Sequence, residues 1–153
     1  MSAPTTNSTI TYSERLWPTF GYWFITAALS AMTSLMVIPV WAAGGIIVPI
    51  VVFVLAALVL RALSARIVVT ADTFYADKAH IDRAFIRSAE AFEAEEAFAE
   101  RGMRLDARAF LMTRPWVKDV VKVTIDDADD VTPYWIVSTR NATALAAALQ
   151  PEG

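Results

Sequence analysis

Acid–base or metal chemistry in this chain would fall first to His80, its single histidine. His80 lies in Ala79-His80-Ile81-Asp82-Arg83, an apolar–polar alternation that marks a strand and puts Asp82 on the same face. Metal sites and histidine catalysis need further partners at fixed spacing, and one carboxylate two residues away does not supply them. The run Asp126-Asp127-Ala128-Asp129-Asp130 is acidic but lacks the D-x-D-x-D-G pattern and distal glutamate of a calcium loop, and it reads as a solvated turn. Ser13 and Ser138 have no histidine base at a plausible position, which argues against a serine hydrolase. Gly102 is the only glycine between Gly45 and Gly153, so a phosphate-cradling loop is missing. With no cysteine, disulfides, thiol redox chemistry and thiolate metal sites are excluded. We therefore expect no catalytic residue, no cofactor, no metal site, and a protein that is not an enzyme.

Two groups remain as candidates for recognition. Arg114, Trp116, Tyr134, Trp135 and Arg140 are of the types enriched at interaction hot spots, and they lie on or beside the two clearest strands. Alternation places Tyr134 and Trp135 on opposite faces, so one of them should point away from the core. The competing reading is that Trp116 and Trp135 fill a small core or touch a membrane surface. The second group is a helix-packing face of small residues at four-residue spacing, Ala27 with Ala31 and Ser30 with Ser34. Such spacing lets membrane helices approach closely. It serves either a second helix of the same chain or another membrane protein.

The elements that carry these residues follow from hydropathy. From Leu16 to Leu60 there are 45 residues and no Asp, Glu, Lys, Arg or His. One bilayer crossing takes about 20 helical residues, so the block suits two spans. Pro39-Val40-Trp41-Ala42-Ala43-Gly44-Gly45 provides the reversal. The spacing predicts helix one from Trp17 to about Ile38 and helix two from about Ile46 to Leu63, with Pro49 in the first turn of the second, where its missing N–H costs little. Trp17, Tyr22, Trp23 and Trp41 suit membrane interfaces. Arg15, Arg61 and Arg66 all fall on the side shared by the two termini, and the connecting loop is uncharged, which predicts cytoplasmic termini. The expected organisation is a cytoplasmic N-terminal segment (1–16), a transmembrane hairpin (17–63) and a cytoplasmic β-rich domain (64–153).

From Arg61 onward the chain is acidic, carrying the −3 net charge of the whole, and no cluster of four or more Lys/Arg occurs. Nucleic-acid binding and a polybasic membrane patch are both disfavoured. Strands are predicted at 65–70, 73–76, 79–83, 117–125 and 134–140, the last two antiparallel. Val117, Val121, Val123 and Ile125 share one face of the fourth, with Asp119 and Val120 breaking the alternation. Asn141 should cap a final helix over Ala142 to Leu149, which Pro151 ends. A short helix is expected from about Ala94 to Arg101. Residues 85–92 fit strand or helix, and 106–112 can add a strand. The fold class is thus α+β: a two-helix transmembrane hairpin followed by a small β-rich domain, of pleckstrin-homology-like outline, with a C-terminal helix.

Four motifs carry a family resemblance: Tyr12-Ser13-Glu14-Arg15-Leu16-Trp17, Asp106-Ala107-Arg108-Ala109-Phe110, Arg114-Pro115-Trp116-Val117 and Thr132-Pro133-Tyr134-Trp135-Ile136-Val137-Ser138-Thr139-Arg140. With them the chain resembles the uncharacterised actinobacterial membrane proteins known as domain of unknown function 3093. The resemblance implies a multi-pass bacterial plasma-membrane protein with a cytosolic domain, and no reaction. The expected function is a non-enzymatic, membrane-anchored binding or scaffold module. The alternative is an accessory subunit of a larger membrane complex. Expected partners are the lipid bilayer and a membrane protein or a second copy of the chain, with no nucleic acid.

Overall fold

The computed structural model describes residues 9–150. Two compact units divide the chain: Trp17–Ser64, and the residues up to Leu16 together with those from Ala65 onward. Pro151, expected to end the last helix, lies outside the described residues.

The first unit is a pair of helices, α1 (Phe20–Val37) and α2 (Gly44–Ala62). Helix α1 starts later than expected because Pro18 holds Trp17 out of helical geometry. Thr19 is extended, and its carbonyl accepts the first bond, from Tyr22 N–H at 3.0 Å. Helix α2 starts earlier than expected. Gly44 and Gly45 belong to its first turn rather than to the reversal, because a Cβ at Gly44 would collide with the Trp41 ring and Val37, and one at Gly45 with Ile38. The glycines serve close packing, not a turn. Pro49 therefore sits past the first turn, where its missing N–H leaves the Gly45 carbonyl without its helical donor. Ser34 fills the gap: its hydroxyl donates to Gly45 O at 2.6 Å. At the open end of the pair, the Arg61 guanidinium stands 5.8 Å from the Trp17 ring centroid. Both helices are long and apolar enough to cross a membrane, and only 6% of each hydrophobic window is buried.

The second unit holds two four-stranded sheets. In the first, β1 (Ile10–Arg15), β2 (Arg66–Thr70), β3 (Thr73–Ala76) and β4 (Ala79–Asp82) lie in chain order, all antiparallel. In the second, β5 (Ile86–Phe92), β6 (Phe110–Met112), β7 (Val120–Ile125) and β8 (Tyr134–Ser138) run in the order β5-β7-β8-β6, with β6 parallel to β8. Helices α3 (Ala94–Arg101) and α4 (Ala142–Leu149) complete it. Strand β1 corrects the expected division of the chain. The N-terminal segment is not separate, since it pairs with β2 from Ile10↔Thr70 to Arg15↔Arg66. The ambiguous stretch at 86–92 is strand, paired antiparallel with β7.

Alternation sets the core. Ile67, Val69, Phe74 and Ala76 of the first sheet are buried and share one face, opposite exposed Arg66 and Tyr75. Phe74 reaches Trp135 of β8, with ring centroids 6.0 Å apart, so these buried faces meet. Leu145 and Leu149 of α4 are buried with them. Asn141 Oδ1 accepts from Ala144 N–H at 3.1 Å, as its cap position predicts. Arg83 closes the other end of α4 by donating to Ala148 O at 2.9 Å and Gln150 O at 3.2 Å. The other face of the second sheet is covered too. Val120 and Ile136 pack with Ala97 of α3, with Phe92, Leu105 and Tyr134 around them. Val120, which breaks the period of two, is buried beside Val121 because both faces of the sheet are covered.

Candidate functional site

The β-rich unit is most elaborately tied at the end where the chain leaves and re-enters it. Leu16 N–H donates to Ala65 O at 2.9 Å, so the two crossing points lie side by side. Trp116 Nε1–H donates to Leu16 O at 3.2 Å, inside the unit. Next to them, Glu14 accepts three bonds: Thr139 Oγ1–H at 2.6 Å, Tyr12 O–H at 2.9 Å and Arg140 N–H at 2.9 Å. Thr139 is fully buried, and its oxygen also accepts from Asn141 N–H at 3.2 Å. Burial pushes the Tyr12 phenol above its ordinary pKa. The Thr139 hydroxyl opposes that shift and the Glu14 carboxylate adds to it. The cluster binds β1 to the β8–α4 junction across more than a hundred residues of sequence.

The five candidate interaction residues do not form one surface. Trp116 and Trp135 are buried, at 8% and 7% exposure, so the reading in which they fill the core describes them. Trp135 also packs on Phe110, with centroids 4.7 Å apart. Tyr134 is half-buried. Its hydroxyl accepts from Asp106 N–H at 2.7 Å and donates to Arg104 O at 3.3 Å, and Lys122 Nζ stands 4.4 Å over its ring. Alternation does put Tyr134 and Trp135 on opposite faces, but neither points to open solvent, because α3 and its flanking turn cover the second face. Arg114 is largely buried and forms an ion pair with Asp77 at 3.4 Å, and its N–H donates to Ser138 Oγ. Arg140 is exposed at the strand end, with its backbone N–H on Glu14. Of the small residues of α1, Ser30 and Ser34 are turned to α2, Ser34 through its bond to Gly45 O, while Ala27 and Ala31 are exposed. Ser30 is buried, and Ala27, Ser30 and Ala31 line a shallow cleft with Pro49, Ile50 and Phe53.

His80 is exposed on β4, its ring 5.8 Å from Tyr75, while Asp82 accepts from Ala84 N–H. In the acidic loop, Asp127 accepts from Asp129 N–H and Asp130 from Thr132 N–H, which lowers the Asp130 carboxyl. Among the described residues, no three His, Cys, Asp or Glu side chains are grouped to hold a metal.

A family model, Protein of unknown function (DUF3093), matches residues 11–149. The chain belongs to this family. No curated protein and no solved structure matches the chain. The matched region of this DUF3093 protein takes in both apolar helices, the Glu14–Thr139 cluster and the Trp116–Leu16 bond.

Two features of the DUF3093 unit escape a reading of the sequence alone. Glu14 carried no signal of its role, although Ile10 and Tyr12 alternating with Thr11 and Ser13 is a short strand pattern. Glu95 and Glu96 of α3 are exposed, but Glu100 is buried, at 3% exposure, bonded to Lys122 Nζ at 3.0 Å and Arg104 at 3.1 Å. Burial works to raise its pKa. The hydrogen bonds and charges of Lys122 and Arg104 outweigh it, and the net shift is downward. Four residues separate Glu96 from Glu100, so helical spacing alone puts both near one face. Only the tertiary partner Lys122 on β7 distinguishes them.

Proposed function

We propose that the chain is a membrane-anchored binding or scaffold module, without catalytic activity, of the bacterial plasma membrane. Helices α1 and α2 cross the bilayer as a hairpin, and the β-rich unit stands in the cytoplasm. One observation carries this reading. Strands β1 and β2 flank the two apolar helices in sequence and are hydrogen-bonded neighbours in one folded sheet. A folded sheet cannot straddle a bilayer, because unpaired backbone groups in hydrocarbon each cost several kcal/mol. The segment before α1 and the segment after α2 are therefore on one side, and an even number of crossings joins them. Arg15, Arg61 and Arg66 flank the helices on that side, while residues 39–43 carry no charge, which favours the cytoplasm for the β-rich unit.

Two mainly antiparallel sheets, with a C-terminal helix, support a pleckstrin-homology-like outline for that unit. The accessory-subunit reading requires a free docking face on α1. Ser30 is buried and Ser34 bonds Gly45 O of α2, so half of that set is already used within the hairpin, which favours the self-contained module. The test is extraction. Membranes from cells expressing the full chain are washed in alkaline carbonate and centrifuged. Full retention in the pellet, and release as a monomer or homodimer in mild detergent, support the proposal. Release by carbonate refutes the anchor, and a stoichiometric co-purifying membrane protein refutes the self-contained module.

A further inference from the structure

Helix α3 covers the second sheet with one side and turns an apolar ridge outward on the other. Ala97 and Glu100 are buried beneath it, whereas Phe98 is 73% exposed and Met103, just past its end, 94%. Phe98, Ala99, Met103 and Lys118 line one shallow groove. Residues three and four apart are neighbours on a helix surface, so Ala94 and Arg101 border Phe98 on one side, and Glu95 and Gly102 on the other. Glu96, two residues from Phe98, faces away from it. Segment 117–119 runs along the first of these sides. Ala94 N–H donates to Asp119 Oδ1 at 3.1 Å, and Arg101 Nη1 donates to Val117 O at 3.3 Å. Lys118, between those two anchors, is exposed, as is Glu95. The Phe98 ridge is thus flanked by a cation on one side and an anion on the other. Neither Lys118 nor Glu95 has an ion-pair partner among the described residues.

We propose that this face of α3 is the contact between two copies of the chain, paired about a two-fold axis parallel to the helix. Such an axis sets Phe98 against Phe98 of the second copy and exchanges the two flanks. Glu95 of each copy then meets Lys118 of the other, and the pair is made twice. Antiparallel helices would instead keep each flank on its own kind, with Lys118 beside Lys118. The charge order is complementary to itself, and that selects a second copy as the occupant. An anionic lipid surface would be attracted by Lys118 and repelled by Glu95, whereas a second copy satisfies both. An aromatic ring and a methionine at the centre, with charges at the rim, match the anatomy of protein interfaces. The contact needs nothing from the membrane anchor, which every outcome of its test leaves standing.

The test follows the monomer–dimer equilibrium of the full chain in mild detergent by analytical ultracentrifugation. The wild type should dimerise, and Phe98→Asp should raise the dissociation constant by about thirtyfold or more. Glu95→Lys and Lys118→Glu should each raise it by about tenfold at low salt, since each reversal sets like charges together at two places. The double variant Glu95→Lys/Lys118→Glu restores the opposite pairs and should return to within about twofold of wild type. All four variants change exposed side chains and should keep the wild-type near-ultraviolet circular dichroism, which shows that they are folded. A chain monomeric at every concentration overturns the pairing, and so does a dimer indifferent to Phe98→Asp, which would be joined elsewhere. A double variant no better than the singles also overturns it and assigns the face to a lipid surface or an unrelated protein.

Discussion

Ser34 and Pro49 are the clearest case of two residues whose value depends on each other. Proline at 49 deprives Gly45 O of its helical donor, and the Ser34 hydroxyl supplies one from the facing helix at 2.6 Å. Ser34→Ala removes that donor and leaves a carbonyl unpaired in apolar surroundings. Interhelical side-chain bonds in membranes average about 0.6 kcal/mol and reach about 1.7. This one has no helical substitute, so the loss should lie in the upper part of that range, about 1.5 kcal/mol. Pro49→Ala restores the N–H at 49, and in that background Ser34→Ala should cost no more than about 0.5 kcal/mol. The coupling is then about 1 kcal/mol, well outside additivity for independent sites. The assay is reversible unfolding of the full chain in mixed micelles with rising sodium dodecyl sulfate, followed by circular dichroism, for all four members of the cycle. An equal cost of Ser34→Ala in both backgrounds would refute the reasoning, because Ser34 would then act by packing alone.

Three further outcomes follow from the β-rich unit. Glu14→Ala should destabilise it by about 3 kcal/mol, and the double variant with Thr139→Val should fall short of the sum of the singles by about 1 kcal/mol or more in urea titrations of tryptophan fluorescence; strict additivity would dissolve the cluster as a unit. Glu100 has a folded pKa below its ordinary 4.5, so its stabilising contribution is present above that value and disappears as pH falls through the folded pKa. Lys122→Met should cost about 2–3 kcal/mol at neutral pH and less in acid, and a pH-independent cost would contradict the ion pair. Tyr12 has a folded pKa above 10.0, so its contribution is present below that pH and fades as pH rises through the folded value. Tyr12→Phe should flatten the alkaline loss of stability, and an unchanged profile would count against burial of the phenol.

Period and capping made much of this fold legible. The strands at 73–76 and 134–138, the helix at 94–101 and the Asn141 cap follow from alternation, propensity and side-chain chemistry within a few residues of each other. What escaped depends on distant partners. A six-residue strand at 10–15 cannot be told from a tail until β2, fifty residues later, offers an edge. Gly44 and Gly45 look like a turn, and only the ring of Trp41 and the side chain of Ile38 reveal them as packing positions. Trp116 and Trp135 have the composition of a hot spot, and composition does not say which side of a small sheet is covered.

The central claim is that β1 and the strands after α2 share one side of a membrane, with residues 39–43 on the other. The chain has no cysteine, so single cysteines report location without background. Full-length Ser13→Cys, Ala42→Cys and Asp129→Cys variants, all at exposed positions, would be treated in intact bacterial cells with a membrane-impermeant maleimide. The account predicts labelling of Ala42→Cys in intact cells, and of the other two only after permeabilisation. Labelling of either Ser13→Cys or Asp129→Cys without the other would separate β1 from β2 across the bilayer and contradict it.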